Sequence, residues 1–307
     1  MSAQGVCCPL CAAKKMHRYL LHNGEIRDTN ELLLSPGQVG FMNGWGVFST
    51  LRVADGVLFA FDRHYQRIQR DAACVHVPFT FSAPDFKKTL LSLVDANRAF
   101  NATLRVAVVR NRGGLFEAPQ LAREADLIAF TADLTAWNEG VKLTYVPHGR
   151  YAAWPFAGTK LTSWAHNLTW YEEAHDRHFD EVVLLNENDQ VSECTSANIF
   201  IIEGKHVWTP PVESSGCLPG VTRAILLEEI HLPGLTIAER ELTASDLEES
   251  GQVFITSTTR DLIPVLEIDH QPLNQDRQTL RRLQDAFSHY RSQYIAKHVR
   301  HKEVLAV

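Results

Sequence analysis

Lys160 is the residue in this chain whose position most suits covalent chemistry. It follows Gly158-Thr159 at a turn just before a predicted helix, where a side chain can reach into a cleft. A lysine that is shielded from water has a lowered pKa, becomes a nucleophile and can form a Schiff base. A lysine at a helix start is nevertheless usually a surface residue, so Lys160 needs partners before it indicates a site.

Glu193 is the second candidate, and it lies inside the strand-like run Val-Ser-Glu-Cys-Thr at 191–195. A carboxylate that pairs with a pyridinium nitrogen keeps that ring protonated, and a protonated ring acts as an electron sink. The alternative is a glutamate at a strand edge that faces water.

The third candidate is an anion site at Pro-Gly-Val-Thr-Arg, residues 219–223, which leads into an apolar helix pattern. A helix N-terminus offers free backbone N–H groups and a partial positive charge, and both favour phosphate. Thr222 adds a hydroxyl, the turn Thr-Ser-Thr-Thr at 256–259 could give two more donors, and Arg67 could supply a cation. The structural alternatives are a helix cap and an ordinary polar loop.

Composition and charge limit the class of protein that can carry these residues. The 307 residues are 45% hydrophobic and 21% charged, which is typical of a globular protein. A net charge of −6 and a pI near 6.2 argue against binding to nucleic acid. No apolar run reaches the roughly 18 residues of a membrane span, and the first residues do not resemble a signal peptide. We therefore expect a cytoplasmic protein with no membrane or nucleic-acid partner.

Strand-like and helix-like patterns are mixed along the chain, which predicts an α+β fold with mostly hairpin-like strand connections. We expect an N-terminal tail over 1–16, a small domain over 17–132, a linker over 133–140 and a large domain over 141–307. Cys8-Pro-Leu-Cys11 has the spacing of half a zinc knuckle. Because no second pair follows at similar spacing, we expect a solvated tail and no metal site.

Several motifs occur together in the order of one known family. They are His64-x-x-Arg67, Asp-Glu-Val (180–182), Val-Ser-Glu-Cys (191–194), Ser-Ala-Asn-Ile-Phe (196–200), Leu-Pro-Gly-Val-Thr-Arg (218–223) and Thr-Ser-Thr-Thr (256–259). With them the chain resembles the class IV aminotransferases, also called fold type IV of the pyridoxal-phosphate enzymes. The resemblance implies a two-domain fold, with a small N-terminal α/β domain and a larger C-terminal pseudo-barrel α/β domain. It also implies pyridoxal 5'-phosphate as cofactor and a homodimer.

The same resemblance implies a role for each matching residue. Lys160 resembles the Schiff-base lysine, which also moves the proton during catalysis. Glu193 resembles the partner of the pyridine nitrogen. The residues that resemble the phosphate site are Arg67, Val221, Thr222, Ser257 and Thr258.

Substrate contacts are predicted from the strand near residues 44–53. Phe48, Thr50 and Arg52 share one face of it, because side chains alternate along a strand. Arg52 could take a substrate carboxylate as a bidentate partner, or it could pair with a local carboxylate. Arg112 could supply the loop arginine that D-amino-acid aminotransferases and the lyases of this family carry.

Three functions remain open from the sequence. The first is transfer of an amino group between an amino acid, branched-chain or otherwise hydrophobic, and a 2-oxo acid by a ping-pong cycle through pyridoxamine phosphate. The second is a 4-amino-4-deoxychorismate lyase that releases pyruvate and 4-aminobenzoate. Phe-Ser-Thr-Leu-Arg-Val at 48–53 resembles the lyases more than the branched-chain enzymes, but Ser163 and Trp164 stand where lyases carry asparagine. The third is a binding or scaffold protein that keeps only the fold.

Overall fold

The predicted α+β class is confirmed by a computed structural model of the chain, which contains two β-sheets and eight helices within its described part. The structure describes residues 15–31, 33–114, 118, 121–137, 139–250, 252–274 and 277–299. The cysteine pair of the N-terminal tail, Cys8 and Cys11, lies outside these residues.

The first sheet has six strands in the order β2-β1-β6-β5-β3-β4, and its neighbouring strands are antiparallel. Three helices accompany it, and the first of them is short. Along β5, buried and half-buried residues alternate, so that one strand face packs into the core and the other is left for a site. The elements are β1 (Met16–His22), β2 (Glu25–Asp28), α1 (Val39–Asn43), β3 (Gly46–Ala54), β4 (Val57–Leu58), α2 (Phe61–Cys74), α3 (Ala83–Asn97), β5 (Ala102–Arg110) and β6 (Ala125–Asp133).

The second sheet has nine strands, with the path β12-β11-β10-β13-β14-β7-β8-β9 and β15 paired to β14. Strand β7 is parallel to both β14 and β8, and β11 is parallel to β12, so crossovers interrupt the predicted hairpin connections. Its elements are β7 (Val141–Val146), α4 (Ala165–Asp176), β8 (Glu181–Leu185), β9 (Val191–Cys194), β10 (Asn198–Glu203), β11 (His206–Thr209), α5 (Val212–Ser215), α6 (Val221–Glu228), β12 (Thr236–Glu239), α7 (Ala244–Glu249), β13 (Gln252–Ser257), β14 (Asp261–Ile268), β15 (Gln271–Pro272) and α8 (Gln278–His298).

The chain passes from the first sheet to the second between β6 and β7. The segment proposed as a linker, 133–140, lies there, although its first residue still belongs to β6. We retain the two-domain division at this segment as a proposal. Because the two sheets are formed by successive parts of the chain, a cleft between them is lined by residues that are far apart in the sequence.

The C-terminal helix α8 joins the two sheets through aromatic contacts. The ring of Phe59, just before α2, is fully buried and packs edge-on against Phe287 and Tyr294, at centroid distances of 6.0 and 5.4 Å. Tyr294 also accepts a hydrogen bond from the backbone N–H of Phe61 at 3.2 Å. Burial of such large rings is a strong source of stability, so α8 fixes the start of α2 against the second sheet.

Candidate active site

A cavity of about 1130 Å³ lies between the two sheets and is lined by residues from both. The lining includes the lysine, the glutamate, every residue predicted for the phosphate site and two of those predicted for the substrate. These residues are Phe48, Thr50, Arg67, Lys160, Glu193, Val221, Thr222, Ser257 and Thr258.

The backbone of Lys160 is held against β3 of the first sheet. Its carbonyl accepts the N–H of Phe48 at 3.0 Å, and the N–H of Thr162 donates to Gly46 at 2.9 Å, so residues 160–162 run beside the strand. The N–H of Lys160 donates to the fully buried carboxylate of Asp71 at 3.2 Å. These three bonds fix where the lysine side chain begins.

Gly158 makes the turn that brings Lys160 to this place. Its φ of +71° lies in the left-handed region that favours glycine, and a Cβ there would be 3.1 Å from the carbonyl oxygen of Cys217. The Gly158 carbonyl accepts a hydrogen bond from Arg70 at 3.0 Å. The backbone geometry therefore favours a glycine two residues before the lysine.

The charges around Lys160 change its chemistry. Burial is the main cause that lowers its pKa, from 10.5 to about 7, and the positive charge of Arg67 is the next cause. Glu193 opposes the shift, whereas Arg105 and Arg150 add to it. At neutral pH a large fraction of this lysine is the free amine, which is the form that acts as a nucleophile or a base.

Glu193 projects from β9 and is almost fully buried. Its Oε1 accepts two hydrogen bonds from Arg150, one from Nη2 at 2.8 Å and one from Nε at 3.2 Å. Within the described part of the chain, Oε2 has no hydrogen-bond donor. The carboxylate is thus oriented by one oxygen and able to take a protonated ring nitrogen on the other.

Arg67 and the start of α6 form a cup for an anion. Helix α6 begins at Val221, and its N-cap, Gly220, has no side chain to bond the first N–H groups. The Thr222 hydroxyl and Nε of Arg67 are buried and lack a hydrogen-bond partner among the described residues. A Cβ on Gly220 would fall 2.0 Å from Oδ1 of Asn198, so only glycine permits this approach. Orphaned donors of this kind fit a phosphate group.

Two of the residues predicted to bind substrate lie away from the cavity. Nη1 of Arg52 pairs with both carboxylate oxygens of Asp261 at 2.5 and 2.6 Å, which is the alternative that the sequence left open. Arg112 lies in an exposed loop and pairs with Glu124 at 3.0 Å. Neither arginine lines the cavity, so the structure does not bring them together with Lys160 and Glu193.

Arg105 and Arg150 are cavity cations that the sequence did not predict, and Arg105 is the one on the side of the first sheet. It lies opposite Thr50 in the β3–β5 ladder, and its guanidinium is 4.0 Å from the ring centroid of Phe48 and 5.6 Å from that of Trp164. Among the described residues, no carboxylate is within ion-pair distance of it. Burial lowers its pKa. The alternation along β5 would have placed Arg105 on the cavity side, but only once the strand register was known.

Neither a metal site nor a membrane span is found in the part of the chain that the structure describes. There, no three histidine, cysteine or acidic side chains are arranged to hold a metal ion. No described helix combines the length and the apolar character needed to cross a bilayer.

A lysine with a lowered pKa, an oriented carboxylate and an anion cup lie around one cavity, and this arrangement fits pyridoxal phosphate. Comparison with known proteins gives the family. The family model for amino-transferase class IV matches residues 46–268. The D-alanine aminotransferase of Bacillus licheniformis is 27% identical over 258 residues, covering 83% of this chain and 89% of that protein. A putative branched-chain-amino-acid aminotransferase of Methanocaldococcus jannaschii is 27% identical over 279 residues, covering 89% and 96%.

The chain belongs to the class IV aminotransferase family, as its motifs implied. It is a pyridoxal-phosphate-dependent aminotransferase of fold type IV. The branched-chain amino acid aminotransferase of Escherichia coli superposes with a TM-score of 0.81 at 21% identity, over 95% of this chain and 98% of that one. The second sheet is correspondingly curled into a half-barrel.

The lowered pKa of Lys160 predicts how capture of the cofactor depends on pH. In cofactor-free full-length protein, the rate of pyridoxal phosphate uptake should rise through about pH 7 and level off, because the amine is then neutral. Stopped-flow absorbance measures this rate. Arg105→Met should move the midpoint to higher pH, because it removes a positive charge that lowers the pKa.

The control is Lys160→Ala, which should bind without the slow covalent phase. A rate that continues to rise toward about pH 10 would instead describe an ordinary solvated lysine.

Proposed function

We propose that this aminotransferase transfers the amino group between a hydrophobic amino acid, branched-chain or other, and a 2-oxo acid by a ping-pong mechanism. The observation that carries the proposal is Arg105, a cation without a carboxylate partner among the described residues, set between aromatic rings beside Lys160. A substrate with a carboxylate and an apolar side chain complements this arrangement.

The residues of the site would divide their work as follows. Pyridoxal phosphate, when bound, supplies an electron sink. Lys160 would hold it and then move a proton as a general base and acid, since its pKa near 7 permits both roles at neutral pH. Glu193 would pair with the ring nitrogen through its free oxygen. The phosphate would be held by Arg67, Val221, Thr222, Ser257 and Thr258.

The substrate would lie between β3, β5 and the start of α4. Nζ of Lys160 is 4.8 Å from the ring centroid of Phe48 and 5.9 Å from that of Trp164. Arg105 contacts the same two rings from the first sheet, so a carboxylate bound to it would be near the amine. Phe48 and Trp164 would exclude water and favour an apolar side chain, and Thr50 would add one hydroxyl. Arg105 thus takes the role that the sequence had suggested for Arg52.

The homodimer also remains a proposal, and exposed apolar residues support it. Phe41 and Met42 of α1 are 52% and 64% exposed, and Tyr151 and Trp154 at the cavity rim are 60% and 45% exposed. Large exposed apolar side chains in clusters are typical of protein interfaces. A second copy of the chain would cover them. The cytoplasmic location rests on the sequence alone.

The proposed reaction predicts a half-reaction that needs only one substrate. A hydrophobic amino acid alone should convert the bound cofactor to its amine form and release one equivalent of the matching 2-oxo acid. Absorbance follows the cofactor and chromatography follows the product. The screen should include L- and D-amino acids and simple amines, because the residues predicted to bind the cofactor are compatible with either enantiomer of the substrate.

A different outcome would identify the runner-up function. If no amino acid or amine changes the cofactor, and aminodeoxychorismate gives 4-aminobenzoate and pyruvate, the protein is the lyase and the proposal of transamination is wrong.

Arg105 and Arg52 form a matched pair that tests the carboxylate site. Arg105→Met should raise KM for a 2-oxo acid roughly 10- to 100-fold, the value of a hydrogen-bonded ion pair, and should change KM for a neutral amine little. The assay is best run near pH 9, because Arg105 also lowers the pKa of Lys160, and at that pH the amine is neutral in both proteins.

Arg52→Met is the control. It removes an arginine from β3, the strand that pairs with β5, and the side chain of this arginine binds Asp261 instead of lining the cavity. It should lower stability without changing the preference for carboxylate substrates. Equal effects of Arg105→Met on both substrates would remove Arg105 from the carboxylate site.

A further inference from the structure

Four side chains form a continuous series of hydrogen bonds, which we call the relay, that begins and ends at the proposed phosphate site. Nη2 of Arg67 donates to Oγ of Ser49 at 2.8 Å, and this Oγ is 2.9 Å from Nδ1 of His64. Nε2 of His64 is in turn 3.4 Å from Oγ1 of Thr258. The first and last members of the relay, Arg67 and Thr258, line the cavity. The two middle members, Ser49 and His64, are only 0% and 1% exposed and do not line it.

Ser49 and His64, the two middle members of the relay, are electrically neutral. Burial lowers the pKa of His64 well below its usual 6.5, and the nearby charges of Arg67 and Lys160 lower it further. A neutral imidazole carries one proton, so one ring nitrogen donates and the other accepts. The tautomer therefore fixes the direction of every hydrogen bond between Ser49 and Thr258.

The donor at the first end selects the tautomer. A guanidinium can only donate, so Ser49 must accept from Arg67 and has its own hydroxyl hydrogen left to give. Nδ1 of His64 is the only other hydrogen-bond partner of Ser49 Oγ in the described part of the chain. If Nδ1 accepts this hydrogen, then Nε2 carries the ring proton and points it at Thr258.

We infer that Ser49 and His64 are positioning residues that orient the Thr258 hydroxyl toward the phosphate of the cofactor. Thr258 accepts from His64, so its own hydrogen turns away from the ring and into the cup, where it donates to an anion. The inference rests on the proposed phosphate site. It adds two residues that never contact the cofactor and that the sequence motifs did not assign.

The opposite tautomer leaves two groups badly placed. With the proton on Nδ1, Ser49 would accept from both Arg67 and His64, and its buried hydroxyl hydrogen would have no acceptor, which is costly. Thr258 would then give its hydrogen to His64 and present only lone pairs to the phosphate. The relay from Arg67 avoids both penalties at once.

The first test reads the tautomer directly in the unmodified, cofactor-loaded protein. Long-range ¹H–¹⁵N spectra of the histidine-labelled chain distinguish the two ring nitrogens, and the His64 signal is the one missing from His64→Gln. The expected result is a neutral ring protonated at Nε2 across neutral pH. A ring protonated at Nδ1, or at both nitrogens, would overturn the inference, and this result needs no stable Ser49 variant.

The second test asks whether the relay acts on the phosphate. Ser49→Ala should weaken the binding of pyridoxal phosphate about tenfold, as expected when one charge-assisted hydrogen bond is lost. It should leave the binding of pyridoxal, which lacks the phosphate, unchanged. Ser92→Ala is the matched control, since among the described residues that hydroxyl bonds only the carbonyl of Thr89 on the surface of α3.

Equal weakening of both ligands by Ser49→Ala, or no weakening of either, would contradict the relay. Its failure is distinguishable from failure of the proposed reaction, because neither readout uses an amino-acid substrate. If the wild-type protein binds pyridoxal and pyridoxal phosphate equally well, the proposal of the phosphate site is wrong, and the inference about Ser49 and His64 is wrong with it.

Discussion

An excess of positive charge in a buried cavity is the constraint on which the site depends. The ammonium of Lys160 lies in the field of three arginines, Arg67, Arg105 and Arg150, and Glu193 is the carboxylate that opposes them. Charges removed from water are costly unless they are paired. The cavity therefore favours anionic ligands, and a phosphate with a carboxylate would supply the missing charge. The same field keeps the lysine amine partly neutral, so binding and reactivity have one physical origin.

The fold keeps these like charges near each other by attaching them to different rigid elements. Arg67 projects from α2 and Arg105 from β5 of the first sheet, whereas Glu193 belongs to the second sheet. Lys160 lies between β7 and α4, and its backbone is bonded to β3 of the first sheet and to Asp71. Repulsion among the cations is opposed by this scaffold and by the packing of α8 across both sheets. The cofactor-free site is thus preorganised for an anion at some cost in stability.

The parts of the site that could be predicted from the sequence are those set by local backbone. Lys160 after a glycine turn, Glu193 in a short strand and Thr222 at a helix start each depend on a few neighbouring residues, and the structure brings all three to one cavity. The α+β class followed from the mixed apolar periods, but the parallel pairing of β7 with β14 did not, because it joins distant segments.

The parts that could not be predicted depend on long-range register and on side-chain partners. The alternation of side chains along a strand placed Arg52 on the same face as Phe48. Its guanidinium instead pairs with Asp261, which is more than two hundred residues away in the sequence. Arg105 reaches the cavity because β5 pairs with β3 in one particular register. The contact of His64 with both Ser49 and Thr258 crosses the two sheets, and no local pattern signals it.

The account depends most on Lys160 as the residue that holds the cofactor. The direct measurement is borohydride reduction of the cofactor-loaded protein, followed by proteolysis and mass spectrometry of the peptides. The account predicts one added pyridoxyl phosphate per chain, on Lys160, and no such addition in Lys160→Ala, which should also lack the absorbance band of a lysine-linked cofactor and be inactive. A reduced cofactor on any other lysine, or a Lys160→Ala protein that keeps full activity, would contradict it.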